Sequence, residues 1–191
     1  MARTSSKPKT FAICYGFVGG PRHAKHFNEM MQQEGYKLAE PSDADIIIAH
    51  SAGCWLLPAS ARPKLLVYIG MPLTTARKRS AWLAANASDF SHNPWRSLQV
   101  RFRNIYYWVI QPRRNLDILL HPKIGSPIII PKTPAVFIAN HHDPWPRVDD
   151  YSGFTDKQNW AFLNMEGTHD DMWEHSELYV QIIDYYAGLL G

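Results

Sequence analysis

The chain has 191 residues, 46% hydrophobic and 19% charged, which suits one domain with a real core and excludes an intrinsically disordered chain. Twenty Lys and Arg against seventeen Asp and Glu leave a net charge of +3, a balance that argues against nucleic acid as the main partner. Cys14 and Cys54 form no Cys-x-x-Cys pair, so neither a disulfide scaffold nor a Cys-based zinc site is expected, and no apolar stretch approaches the roughly 18 residues of a membrane span.

Basic residues Arg3, Lys7 and Lys9 precede the apolar run 11–18 in loose imitation of a secretory signal, but Gly19-Gly20-Pro21 is a poor cleavage site. The run is read instead as a strand ending in a glycine loop, in a cytoplasmic protein. Residues 1–10 are expected to form a flexible N-terminus and 11–191 a single domain. Short apolar runs then alternate with helical patterns. Residues 11–15 (FAICY) are predicted as a strand, and 21–34 as a helix with Phe27, Met30 and Met31 at helical spacing, ended by Gly35. A short strand is placed at 36–39. The β-branched run 45–50 (DIIIAH) predicts a strand buried on both faces, followed by a short helix over 51–60 and another buried strand at 64–70.

From 71 to 131 the rhythm breaks. A helix is expected at 75–87, then a stretch where Trp95, Phe102, Tyr106, Tyr107 and Trp108 interleave with Arg96, Arg101, Arg103, Arg113 and Arg114. This block is read as a helical or irregular cap inserted over one end of the sheet. Strands resume at 135–140 (AVFIAN) and 159–165 (NWAFLNM), and a helix over 176–190 carries Leu178, Ile182, Ile183 and Tyr186 on one stripe. Alternating strands and helices predict an α/β three-layer sandwich around a mostly parallel sheet, with ligands bound beyond the carboxyl ends of the strands.

Three of those strand ends carry the parts of a nucleophilic site. Ser51 follows strand 45–50 between the small residues Ala49 and Gly53, which a nucleophile on a strained strand-to-helix turn requires; a plain helix-capping serine is the competing reading. Asp143 follows strand 135–140, and His169 follows strand 159–165. A nucleophile, a base and a group orienting the base need this co-location. Asp149 and Asp150 are rivals for the acid, and His141 and His142 for the base. Cys54, three residues past Ser51, reads as a small buried apolar residue.

With these residues in view, the chain resembles the α/β-hydrolase superfamily, whose nucleophile elbow has the form small-x-Ser-x-small. The phrases DIIIAHSAGC, ANHHDPWP and GTHDD resemble the small serine hydrolases related to retinoblastoma-binding protein 9 and the bacterial YdeN type. The resemblance implies Ser51 as nucleophile, His169 as base and Asp143 as acid, with Pro146 matching the turn behind the acid. It implies an oxyanion hole from the backbone N–H groups of Ala52 and Phe17, a small-molecule acyl substrate, no cofactor, and a monomer or small homo-oligomer. Three features depart from the pattern: Ala49 in place of glycine, a trimmed sheet between 36 and 45, and Tyr15 where many relatives have histidine. Two other readings stand beside it. One is a metal-dependent hydrolase using His141, His142, Asp143, His169, Asp170 and Asp171. The other is a catalytically silent binding module presenting its Arg-aromatic stretch 101–114.

Overall fold

The computed structural model describes residues 8–16, 20–71, 94–120, 132–143 and 160–190. In chain order they form β1 (Thr10–Cys14), α1 (Lys25–Gln33), β2 (Lys37–Leu38), β3 (Ile46–His50), a 3-10 turn (Ser51–Trp55) and β4 (Leu65–Ile69). Then come α2 (Pro94–Ile110), α3 (Pro112–Leu119), β5 (Ala135–Asn140), β6 (Trp160–Met165), α4 (Asp171–Glu174) and α5 (Ser176–Gly188). The six strands make one sheet in the order β2-β1-β3-β4-β5-β6. Every pairing is parallel.

The β-branched runs explain the sheet. Every residue of β3, β4 and β5 is buried, which only a sheet covered on both faces allows. On one face Phe11, Ile13, Ile46, Ile48, Val67 and Ile138 meet Phe27 and Met31 of α1 and Tyr179, Val180, Ile183 and Ala187 of α5. Each such side chain contributes about 1.5–3 kcal/mol on leaving water. On the other face Ala12, Ile47, Ala49, Leu66, Tyr68 and Phe137 form a second cluster with Cys54 beneath Leu57 and Ala61. At the amino ends of the strands Asp45 brackets the register: its Oδ2 accepts from the Lys9 and Thr10 amides at 2.9 and 3.2 Å, while Lys64 Nζ stands 3.1 Å from Oδ1.

Several boundaries differ from expectation. Residues 21–24 form turns, so α1 starts at Lys25 rather than Pro21. The helix expected over 51–60 is a single 3-10 turn, because the chain must leave the sheet sharply at Ser51 and Pro58 stops it soon after. The stripe of α5 is corrected at one position: Leu178 is exposed, while Ile183 is buried, Ile182 and Tyr186 pack partly against the core, and Tyr179, Val180 and Ala187 join them. α4 has no counterpart in the sequence reading. The predicted helix 75–87 lies outside the described residues.

The strand order reverses between β1 and β3, since the chain runs outward to β2 and then returns to the far side of β1. A sheet of this kind opens a crevice at the carboxyl ends of the strands flanking such a reversal. β3 delivers Ser51 to that crevice.

Candidate active site

Ser51 is the first residue beyond β3. Its φ of +54° makes it the one non-glycine residue in the left-handed region among the described residues. That conformation is costly for a side-chain-bearing residue and marks a sharp turn of functional interest. Small neighbours permit it. A Cβ on Gly53 would stand 1.9 Å from the Cys14 carbonyl oxygen, so only glycine lets the turn pack onto β1. A Cβ on Gly16 would stand 2.8 Å from the Ser51 Cβ and 3.0 Å from the Ala52 nitrogen. The loop leaving β1 therefore lies directly against the Ala52 amide. Phe17, its expected partner in an oxyanion hole, lies outside the described residues.

The acid and base positions meet. Asp143 is buried in the turn after β5, and its Oδ2 lies 2.7 Å from His169 Nδ1 in the loop after β6. An ionised carboxylate accepts, so Nδ1 carries the proton and Nε2 is left as the basic nitrogen. Burial alone would lower the His169 pKa, but the Asp143 charge and hydrogen bond, with Asp170 beyond, carry it up to about 8. Neither rival histidine joins this pair. His141 and His142 are exposed on the turn, and His142 faces Glu166 at 3.3 Å. Asp149, Asp150 and Pro146 lie outside the described residues.

The other candidate metal ligands are drawn into separate pairs. Asp171 bonds His175 at 2.9 Å and Asp170 bonds Arg103 at 2.6 Å. Among the described residues no three His, Cys, Asp or Glu side chains converge as a metal site would need. Cys14 and Cys54 are buried free thiols, and burial pushes Cys14 up to about 11 and Cys54 well above its ordinary value.

Five residues take supporting roles that escaped the sequence reading. His50, the last residue of β3, donates from Nε2 to the His169 carbonyl oxygen at 2.8 Å, and its ring lies 4.9 Å from that of His169. Burial, with the charge of His169, lowers its pKa to about 4 and keeps it neutral. It is a strut between the Ser51 turn and the His169 loop. Gly70, after β4, sits beneath the Asp143–His169 pair. Asn140 is wholly buried and donates from Nδ2 to the Thr168 carbonyl at 2.6 Å, fixing the β6 loop to the end of β5. Arg103 of α2 reaches Asp170, the residue after His169. Arg114 of α3 reaches the Tyr15 and Gly16 carbonyls at 3.4 Å, and its guanidinium lies 5.8 Å from the Tyr15 ring centre.

No family model matches the sequence, and no curated protein matches it. Solved structures do match in shape. The α/β-hydrolase enzyme MGS-M2, from a Medee basin deep-sea metagenome library, superposes with a TM-score of 0.63 at 13% identity, covering 98% of this chain and 92% of that one. The RedJ thioesterase from the prodiginine biosynthetic pathway of Streptomyces coelicolor gives 0.62 at 12% identity, covering 96% and 95%. A Pyrococcus furiosus esterase gives 0.58 at 14% identity, covering 97% and 83%. The chain has the α/β-hydrolase fold. Within that fold the crevice beyond β1 and β3 receives Ser51, and the turns after β5 and β6 supply Asp143 and His169. Among the described residues no helix is long and apolar enough to cross a membrane.

Proposed function

We propose that the protein is a serine hydrolase that cleaves a carboxylic ester or related acyl bond through an acyl-enzyme intermediate. The observation that carries this reading is the 2.7 Å Asp143–His169 hydrogen bond at the rim where Ser51 holds its left-handed turn. In this mechanism His169 Nε2 takes the Ser51 proton as the oxygen attacks the acyl carbon. Asp143 keeps the imidazole in the right tautomer and stabilises the imidazolium. The oxyanion is received by the Ala52 N–H and by Phe17, where losing one donor costs on the order of 10²–10³ in turnover. His169 then protonates the leaving group, and water, activated by the same imidazole, releases the acyl product.

The reading extends to a small-molecule acyl substrate, a cytoplasmic monomer or small homo-oligomer, a single domain capped by 71–131, and kinship with the retinoblastoma-binding protein 9 and YdeN type. The mechanism calls on no cofactor. A fluorophosphonate probe should modify Ser51, as mapped by peptide mass, and a short-chain p-nitrophenyl ester should be hydrolysed by the native protein and not by Ser51→Ala. Equal hydrolysis by both proteins would overturn the reading.

A further inference from the structure

The helix α2 meets the body of the protein through the buried Tyr107 ring, stacked on His23, and through Arg103. Arg103 points inward with a quarter of its side chain exposed, places Nη2 2.6 Å from Asp170 Oδ2, and donates from Nη1 to His23 Nε2 at 3.0 Å. Arg22, one residue before His23, also bonds the Tyr106 hydroxyl of this helix. Asp170 directly follows His169 and shares its loop, so a guanidinium held between Asp170 and His23 fixes the backbone beside the imidazole.

We propose that Arg103, acting through Asp170, is a positioning residue for the His169 base, so that α2 and the base move as one unit. The inference rests on the serine-hydrolase reading of this site. The groups facing the imidazole are Asp143 from the turn after β5, His50 from β3, Asp170 from its own loop and Arg103 from α2. Facing Asp170 are Arg103, His169, His50 and His23; burial opposes its charge, and Arg103 and His169 hold its pKa down at about 2. Arg103 thus neutralises a carboxylate that would otherwise act on the base alone. His23 accepts the second bond as a neutral ring, since burial and the Arg103 charge keep its pKa low.

The test compares native protein with Arg103→Met, Arg103→Lys, Asp170→Asn and the Arg103→Met/Asp170→Asn pair, each checked for folding by circular dichroism. Two readouts are taken: the pH profile of kcat/KM on a p-nitrophenyl ester, and the His169 ring pKa by proton NMR, assigned with His169→Gln. Arg103→Met should raise both apparent pKa values by about one unit. Activity then falls about tenfold at pH 7 and is nearly restored at pH 10. Arg103→Lys should recover part of the shift, and Asp170→Asn should move it downward. Loss of Arg103 should matter less once Asp170 is Asn. A merely structural role would lower activity equally at all pH values. An unchanged NMR pKa and profile in both folded Arg103 variants overturns the proposal while leaving Ser51 chemistry intact. Absence of Ser51-dependent hydrolysis with a shifted NMR pKa overturns the serine-hydrolase reading instead. If Arg103→Met does not fold, Arg103→Lys and Asp170→Asn carry the same comparison.

Discussion

Gly70 lies so close under Asp143 that a methyl group on its Cα would stand 3.0 Å from Asp143 Oδ2 and 3.1 Å from His169 Nδ1. Its φ of +56° adds strain for any other residue, roughly 1–2 kcal/mol. Gly70→Ala should therefore wedge Asp143 from His169. We expect a fall in kcat of about 10²-fold with a Tm lowered by only about 2–8 °C. Native-like turnover in this variant, read by ester hydrolysis, would show that the pair tolerates displacement.

On the proposed mechanism the raised His169 sets the working pH. In that mechanism His169 must be neutral to accept the Ser51 proton, and its pKa is about 8. Log kcat/KM should therefore climb with unit slope below pH 8 and level off above it. A rate independent of pH between 6 and 9 would place the base elsewhere.

Stability should respond to the two neighbouring histidines in opposite senses. His50 drops from 6.5 to about 4 on folding, so its contribution is whole above pH 6.5 and is lost as pH falls toward 4. His169 rises from 6.5 to about 8, so its contribution is whole below pH 6.5 and is lost as pH rises toward 8. Urea midpoints should flatten on the acid side in His50→Gln and on the basic side in His169→Gln. Identical curves for native protein and His50→Gln from pH 4 to 6.5 would contradict the buried neutral ring.

The Tyr179 hydroxyl lies 2.8 Å from Asn140 Oδ1 and 3.2 Å from Asp171 Oδ2, all in the interior. Tyr179→Phe removes the one hydroxyl proton that two buried acceptors share and should cost about 1–3 kcal/mol in urea unfolding. Asn140 then loses one of its restraints on the Thr168 carbonyl, so kcat should fall several-fold while KM stays put. A stability change under 0.5 kcal/mol would mean another donor replaces the hydroxyl.

Gly53 and Gly188 give a paired control. Gly53→Ala drives a methyl into the Cys14 carbonyl at 1.9 Å and should abolish soluble expression. Gly188→Ala, at the end of α5 with nothing within 4 Å of the added carbon, should be neutral or stabilise by about 0.5–1 kcal/mol. Thermal melts of the two variants check both.

The strands were legible because continuous apolar runs such as DIIIAH and AVFIAN leave little other choice, and Ser51, Asp143 and His169 stood out as candidates because each follows one of them. The α2 helix was obscured for a physical reason. Its outward positions Trp95, Phe102, Ile105 and Val109 are exposed, whereas Arg103 and Asn104 turn partly inward beside the buried Tyr107, which mixes polar and apolar residues on both sides and blurs the usual stripe. His50, Gly70 and Arg103 escaped because their roles arise only in three dimensions. The His50 contact spans 119 positions and the Arg103 contacts span 67 and 80. The four-residue α4 is too short for any periodicity to register.

The site is assembled from strand ends far apart along the chain, and that separation has a consequence for biosynthesis. A ribosome that has made the first hundred residues has already released Ser51, with neither carboxylate nor imidazole yet polymerised. Nascent chains halted before residue 169 should ignore a phosphonate probe, and reactivity should switch on only when the last strand and its loop clear the exit tunnel.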